Sequence, residues 1–147
     1  MIGTWFQKNN NRDKVVLATK CTGPSSGMPY IRENMNFSKE QLTSALEGGV
    51  KRLQTDYIDL YQFHWPVRNA NFFGKLGYKH DLEEKWQDDF VESLETIQGF
   101  VKEGKVKSFG VSNETAWGVM KYISHSEAKD LPRVQTIQNP YSLLNRS

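Results

Sequence analysis

Polar or reactive side chains stand at the ends of four short apolar runs in this sequence. They are Lys20 with Cys21, His64 with Trp65, Ser112 with Asn113, and the residues from Gln138 to Tyr141. A lysine ammonium and a neutral histidine can both donate hydrogen bonds to an oxygen atom that gains negative charge. Hydroxyl and amide side chains add further donors and acceptors. If the fold brings these clusters together, they form a polar site suited to acid–base chemistry on a small molecule.

Each of these residues also has a purely structural interpretation. Lys20 could be an ordinary exposed lysine after a strand, and His64 could be a hydrogen-bonded core histidine. Ser112 and Asn113 could cap the following helix, where both residue types are favoured. Cys21 is interpreted as a small apolar filler rather than a nucleophile, because the sequence places no base beside it. The elements that carry these residues therefore have to supply further evidence.

Short apolar runs alternate with longer amphipathic ones along the chain. Runs rich in β-branched and aromatic residues predict strands, and apolar residues at helical spacing predict helices. The predicted strands cover residues 14–20, 57–65, 106–113 and 133–142, and the predicted helices cover 38–54, 82–104 and 114–127. Ser38 with Gln41 three residues later indicates a helix start, and Gly104 indicates a helix end. This alternation predicts a parallel sheet with helical crossovers.

A parallel sheet is either an open layer or a closed barrel. Polar clusters at the strand ends are typical of a barrel, whose working residues lie at the carboxyl ends of its strands. A nucleotide-binding open sheet would carry a glycine-rich phosphate loop after its first strand, and this sequence has no GxGxxG motif. We therefore predict an α/β fold with about four β/α units of a parallel barrel, that is, a partial (β/α)8 TIM barrel.

Composition narrows the class of protein. The 147 residues are 37% hydrophobic and 24% charged, which fits one globular unit. The net charge is only +2 and the basic residues are scattered, so a nucleic-acid partner is not favoured. The single Cys21 fits a reducing compartment, and no apolar run approaches the roughly 18 residues that span a bilayer. We expect a cytoplasmic protein without a membrane partner, and without a metal site because no residue cluster has metal-ligand spacing.

The strand-end blocks carry a family resemblance. The segments VVLATK, RLQTDYIDLYQFHWP, GKVKSFGVSN and IQNPYSLLNR resemble, in order and approximate spacing, the middle strands of aldo-keto reductases. The segments NFFGKLGY and VSNETAWGVM look closest to the Tas-like branch of that family. The resemblance implies a (β/α)8 barrel that reduces aldehydes and ketones to alcohols with NADPH. It makes residues 1–147 one such domain, incomplete at both ends.

The resemblance also implies roles for individual residues. Lys20 matches the family lysine that tunes the pKa of a tyrosine acid, and His64 matches the histidine that orients the carbonyl group. Ser112, Asn113 and Gln138 match the group that binds the nicotinamide carboxamide of NADPH. A hydroxyl with two side-chain amides has the donors and acceptors that a carboxamide requires.

The loop of residues 67–81 follows His64 and is long and aromatic. Phe72 and Phe73, together with Trp65, are candidate walls of a pocket for a small carbonyl substrate. The alternative is a loop that closes over the barrel rim and covers its own core.

Parts of the family pattern are not found in this sequence. The resemblance covers four of the family's eight strands and does not include the segments with the catalytic Asp and Tyr or the cofactor's phosphate site. Neither Tyr30 nor Tyr57 falls in the place of the proton donor, and Asn139 with Pro140 stands where an acidic residue is more typical. A half-barrel has two unpaired edges, so we expect self-association or a completing chain.

Three classes of function follow from these observations. The leading hypothesis is an NADP-dependent oxidoreductase of the aldo-keto reductase family. The second is a non-catalytic nicotinamide-binding or regulatory subunit, and the third is an inactive fragment that needs a completing chain. A hydrolase using His64 as a base is the remote alternative, because no paired carboxylates accompany this histidine.

Overall fold

The computed structural model describes residues 1–25, 27–73, 77–79, 81–84 and 89–144 of the chain. Its helices are α1 (Ile2–Asn9), α2 (Lys39–Leu53), α3 (Phe90–Lys102) and α4 (Ala116–Lys129), and its strands are β1 (Ala18–Cys21), β2 (Ile58–Phe63), β3 (Val106–Ser112) and β4 (Val134–Gln138). All strand pairs are parallel, and the strands lie in the order β1-β2-β3-β4. The predicted alternation of strands and helices around a parallel sheet is confirmed.

All four predicted strands are shorter in the structure, and two of the changed boundaries have a clear local cause. β1 begins at Ala18 rather than at residue 14, because Arg12–Lys14 form a 3-10 turn before it. β4 ends at Gln138 rather than at residue 142, since Pro140 lacks the N–H group that a strand ladder needs. Both strands nevertheless contain their candidate site residue, Lys20 in β1 and Gln138 in β4.

The helices differ most from prediction at the start of α3 and at α1. α3 begins at Phe90 rather than at residue 82, and residues 82–84 are not helical. The Asp81 carboxylate accepts a hydrogen bond from the Glu83 amide at 2.9 Å, a local arrangement that competes with helix formation. The sequence does not predict α1, which buries only Gly3 and Phe6 and so has a very short apolar stripe.

Both predicted helix ends are confirmed. The Ser38 hydroxyl accepts a hydrogen bond from the Gln41 amide at 3.4 Å and so caps the start of α2. After α3, Gly104 has a φ of 73°, and the Lys105 amide donates to the Phe100 carbonyl at 3.0 Å. This left-handed glycine with its backward hydrogen bond is the arrangement that commonly closes a helix.

The hydrophobic core lies between one face of the sheet and the helices. The strand residues Tyr61, Phe63, Phe109 and Val111 pack in it with the helix residues Leu42, Leu46, Leu94, Ile97 and Tyr122. Side chains alternate along a strand, so the neighbours of these core residues point to the opposite face of the sheet. The cross-strand pairs Lys20 with Gln62 and Ser112 with Gln138 belong to that opposite face. The polar strand-end residues are therefore separated from the core by the sheet itself.

A group of charged residues joins the strands near their amino ends. The Asp59 carboxylate accepts a hydrogen bond from the Leu17 amide at 3.0 Å, and it pairs with Arg12 at 2.8 Å and Lys107 at 2.9 Å. Burial alone would raise the pKa of Asp59, but the hydrogen bonds from Leu17, Lys107 and Arg12 outweigh it and hold the pKa below its usual value. A carboxylate with a lowered pKa stabilises the fold above its ordinary pKa, and this contribution is lost as the pH falls through the folded-state pKa.

We expect Asp59→Asn to lower the free energy of unfolding at pH 7 by about 2 kcal/mol, the scale of a hydrogen bond to a charged group. The variant should also lose less stability than the wild type between pH 5 and 2, as measured by urea unfolding at each pH. Asp13→Asn is the control, because Asp13 is exposed in the neighbouring turn. Equal acid sensitivity of wild type and Asp59→Asn would contradict this role of Asp59.

No helix among the described residues is long and apolar enough to cross a membrane.

Candidate functional site

The carboxyl ends of the four parallel strands meet at one edge of the sheet. Hydrogen bonds extend the pairing there: the His64 amide donates to the Cys21 carbonyl at 2.9 Å, and the Asn113 amide donates to the Gln138 carbonyl at 3.1 Å. The sequence predicts a shared edge for these clusters, and the structure brings them together along it. This is the edge at which parallel barrels carry their sites.

Lys20 and His64 lie at the end of the first two strands, and both are half-buried. Burial lowers the pKa of His64, and the positive charge of Lys20 lowers it further. His64 is therefore neutral at pH 7, and a neutral imidazole carries one N–H group and one acceptor nitrogen. The pair offers two hydrogen-bond donors of different kinds, a lysine amino group and an imidazole.

Two aromatic rings lie next to His64. The ring of Trp65 lies 4.8 Å from the His64 ring between centroids, and the Phe73 ring lies 5.6 Å away, edge-on. Trp65 is buried and fixed by a hydrogen bond from its indole nitrogen to the Pro24 carbonyl at 3.0 Å. Phe73 contacts Phe72 with a centroid distance of 5.3 Å and is 59% exposed. Trp65 is thus a packed wall, whereas Phe73 presents ring surface to solvent beside His64.

Gly23 provides the space that Trp65 occupies. A Cβ atom at position 23 would lie 2.4 Å from Cδ1 of the Trp65 indole and 2.5 Å from the Trp65 carbonyl oxygen. No side chain fits at such a distance, so the first loop after β1 must pass directly against the indole. The position of the aromatic wall therefore depends on this glycine.

Ser112, Asn113 and Gln138 form a hydrogen-bonded group at the ends of β3 and β4. The Ser112 hydroxyl donates to the Gln138 carbonyl at 2.8 Å. The Asn113 side-chain amide donates to the Ser112 hydroxyl at 3.1 Å and to the His64 carbonyl at 2.9 Å. Asn113 therefore connects the end of β2 with the ends of β3 and β4.

The conformation of Asn113 is unusual for a residue with a side chain. Its φ of 51° lies in the left-handed region, which asparagine tolerates better than most residues do. Asn113 does not cap α4: the helix is capped by Thr115, whose hydroxyl accepts from the Gly118 amide at 3.2 Å. The capping alternative for Ser112 and Asn113 is therefore wrong, and a different role has to explain this conformation.

A buried ion pair that the sequence pattern does not predict lies next to this group. Arg68, on the loop after β2, forms a bidentate ion pair with Glu114, in which Nη1 of Arg68 lies 3.2 Å from Oε2 of Glu114. Arg68 also donates to the Thr115 hydroxyl at 2.8 Å and lies over the ring of Trp117. The local sequence gives only one indication of this ion pair, the charged residue Glu114 directly after Asn113. Nothing in the local pattern connects Glu114 with an arginine 46 residues earlier.

Among the described residues, no group of three or more His, Cys, Asp and Glu side chains could hold a metal ion.

The chain is similar in sequence and in fold to known proteins. The model of the aldo/keto reductase family matches residues 1–147. Protein tas of Escherichia coli is 45% identical over 99% of this chain, which covers 42% of that protein. The uncharacterized oxidoreductase YrpG of Bacillus subtilis is 36% identical over 100% of this chain, which covers 40% of that protein.

The crystal structure of the thermostable aldo-keto reductase Tm1743 is similar with a TM-score of 0.68 and 25% identity, over 99% of this chain and 40% of that one. The chain thus spans about two fifths of the length of these relatives. The prediction of a partial (β/α)8 barrel is confirmed by this likeness and by the four parallel β/α units. The chain belongs to the aldo/keto reductase family.

Proposed function

We propose that the carboxyl edge of this sheet binds the nicotinamide end of NADPH, and that the chain takes part in the NADPH-dependent reduction of small aldehydes or ketones to alcohols. The observation that carries this proposal is the hydrogen-bonded group of Ser112, Asn113 and Gln138 beside Lys20 and His64. Family membership supports the same reaction, since reductases of this family generally act on carbonyl compounds with NADP.

The hydrogen-bond inventory fits a carboxamide. Both amide hydrogens of Asn113 and the hydroxyl hydrogen of Ser112 are used within the protein. This leaves Oδ1 of Asn113 as an acceptor, and the exposed side-chain amide of Gln138 makes no hydrogen bond among the described residues. A carboxamide NH2 would donate to Asn113, and its oxygen would accept from Gln138. Ser112 would act chiefly by holding Asn113 and the Gln138 backbone in place.

Lys20 and His64 would serve the reacting carbonyl group. NADPH, when bound, supplies the hydride, and the proton that completes the alcohol hydroxyl comes from water. Neutral His64 can donate a hydrogen bond to the carbonyl oxygen and orient it, and the Lys20 ammonium stabilises the negative charge that develops on this oxygen. Trp65, Phe72 and Phe73 would line the substrate side with apolar surface, and Phe73 has enough exposed ring to do so.

A second candidate function is nicotinamide binding without catalysis. The observation that favours it is the position of the tyrosines: Tyr61 and Tyr122 are in the core, and the Tyr57 ring lies 3.9 Å from the Arg12 guanidinium. None of these three is a proton donor beside Lys20. Oxidation of NADPH in the presence of an aromatic aldehyde would distinguish a reductase from a binding subunit. Self-association of the chain, which the unpaired edges suggest, stays a prediction.

Binding is tested by titrating the purified chain with NADPH and following tryptophan fluorescence. We expect saturable quenching, and Gln138→Ala should weaken binding about tenfold, the cost of one hydrogen bond of about 1.4 kcal/mol. Gln135→Ala is a matched control, since it removes another exposed glutamine from the same strand and should leave the affinity unchanged. Absence of saturable binding by a folded sample, or equal effects of the two substitutions, would contradict the proposed site.

A further inference from the structure

Asn139 binds the backbone of Glu114 with both ends of its side-chain amide. Its Nδ2 donates to the Glu114 carbonyl oxygen at 2.8 Å, and its Oδ1 accepts from the Glu114 amide at 3.1 Å. These two bonds satisfy the amide and the carbonyl of Glu114, two residues after Ser112, which the backbone of a neighbouring strand would otherwise bind. Asparagine at this position therefore continues the β3–β4 pairing past the last residue of β4, where Pro140 prevents the strand from continuing.

Glu114 is held on its other side as well. Its carboxylate is buried between the Arg68 guanidinium and the Thr115 amide, which donates to it at 2.6 Å. The backbone of Glu114 is bound by Asn139, and its side chain by Arg68. The residue that follows Asn113 thus cannot rotate without breaking several hydrogen bonds.

This restraint acts directly on Asn113. The Asn113 amide is bound to the Gln138 carbonyl, and the next amide along the chain is bound to Asn139. With both flanking peptide groups fixed, Asn113 stays at a φ of 51° and its side chain reaches the His64 carbonyl. Without the restraint on Glu114, the backbone could relax to the more favourable negative φ, which would turn the Asn113 side chain away.

We propose that Asn139 is a positioning residue for the nicotinamide site: through Glu114 it holds Asn113 in the left-handed conformation that presents Oδ1 to the carboxamide NH2 group. This inference rests on the proposed function, and it explains the departure from an acidic residue at this point of the sequence. An aspartate at position 139 could accept from the Glu114 amide but could not donate to the Glu114 carbonyl. Its second oxygen would face that carbonyl and be repelled.

The test compares Asn139→Asp with Gln135→Glu, which places the same new charge on an exposed glutamine of β4, the strand that ends just before Asn139. We expect Asn139→Asp to weaken NADPH binding about tenfold, and Gln135→Glu to change it less than about twofold. An NADPH analogue with an acetyl group in place of the carboxamide lacks the N–H group that would donate a hydrogen bond to Oδ1 of Asn113. Asn139→Asp should therefore weaken binding of the analogue less than about twofold. If Asn139→Asp weakened the binding of NADPH and of the analogue equally, Asn139 would have only a general structural role and the proposal would be overturned.

A second readout does not depend on cofactor binding. In NMR spectra of the free chain, the side-chain amide signals of Asn113 should shift in Asn139→Asp, because the bond to the His64 carbonyl is lost, and stay unchanged in Gln135→Glu. If Asn139→Asp does not fold, Asn139→Gln replaces it in this test. This variant keeps the amide but moves it by one methylene, and it should give the same shift of the Asn113 signals. Unchanged Asn113 signals in the folded variant would refute the positioning role. A wild-type chain that does not bind NADPH would contradict the proposed function, and the Asn113 signals would still decide the role of Asn139.

Discussion

Replacing Arg68 with alanine is expected to lower the free energy of unfolding by about 3–5 kcal/mol, the range found when one partner of a buried ion pair is removed. The side chains of Arg68 and Glu114 are only 11% and 3% exposed. Without Arg68, the Glu114 carboxylate would remain buried with hydrogen bonds from Thr115 alone. Urea unfolding followed by circular dichroism measures the loss.

The chain contains a matched control for this substitution. Arg133 pairs with Glu127 at the other end of α4, but these side chains are 53% and 64% exposed. Exposed ion pairs contribute little, so Arg133→Ala should change stability by less than about 1 kcal/mol. In the double variant Arg68→Ala with Glu114→Gln, part of the stability should return, because the uncompensated charge is gone. Similar losses for Arg68→Ala and Arg133→Ala would show that burial of the Arg68 pair has no special effect.

Phe63→Ala is the second substitution with a large expected effect, a loss of about 3–5 kcal/mol in the free energy of unfolding. Phe63 is 2% exposed, stacks on Phe37 at 4.1 Å and contacts Phe109 edge-on at 4.8 Å between ring centroids. Removing the ring leaves a cavity among side chains that belong to the loop before α2 and to β3. The next residue is His64, so NADPH binding should weaken together with stability.

Thermal or urea unfolding of three variants separates the effect of the cavity from that of substitution as such. Phe63→Leu fills most of the space and should cost clearly less than Phe63→Ala. Met120→Ala, at a position that is 58% exposed on α4, should cost less than about 1 kcal/mol. If Phe63→Ala and Met120→Ala were equally stable, the core assigned to this face of the sheet would be wrong.

The order and type of the elements could be predicted from the sequence because each element carries a strong local pattern. The helix with Leu42 and Leu46 on one face, and the apolar strand that ends at Phe63, bury the residues that their periodicity indicates. The element boundaries were less predictable because local side-chain hydrogen bonds decide them. Asp81, for example, binds the Glu83 amide and leaves this segment outside α3.

The candidate site was predictable to the extent that it depends on strand ends. Lys20, His64, Ser112 and Gln138 each lie in the last part of a predicted strand, and parallel pairing brings such ends together. The contacts that hold the site could not be predicted in this way. Arg68 and Asn139 lie 46 and 25 residues from Glu114, and no periodic pattern relates residues at those separations. Their contribution depends on tertiary structure rather than on local sequence.

The most direct test of the proposed nicotinamide site is an NMR titration of the isotope-labelled chain with NADPH. The side-chain amide signals of Asn113 and Gln138 should shift together and saturate with the affinity measured by fluorescence, while the signal of Gln135 stays in place. The acetyl analogue should shift the Asn113 signals less than NADPH does. Saturable binding that leaves the Asn113 and Gln138 amides unchanged would place the cofactor elsewhere and contradict the assignment of this strand edge.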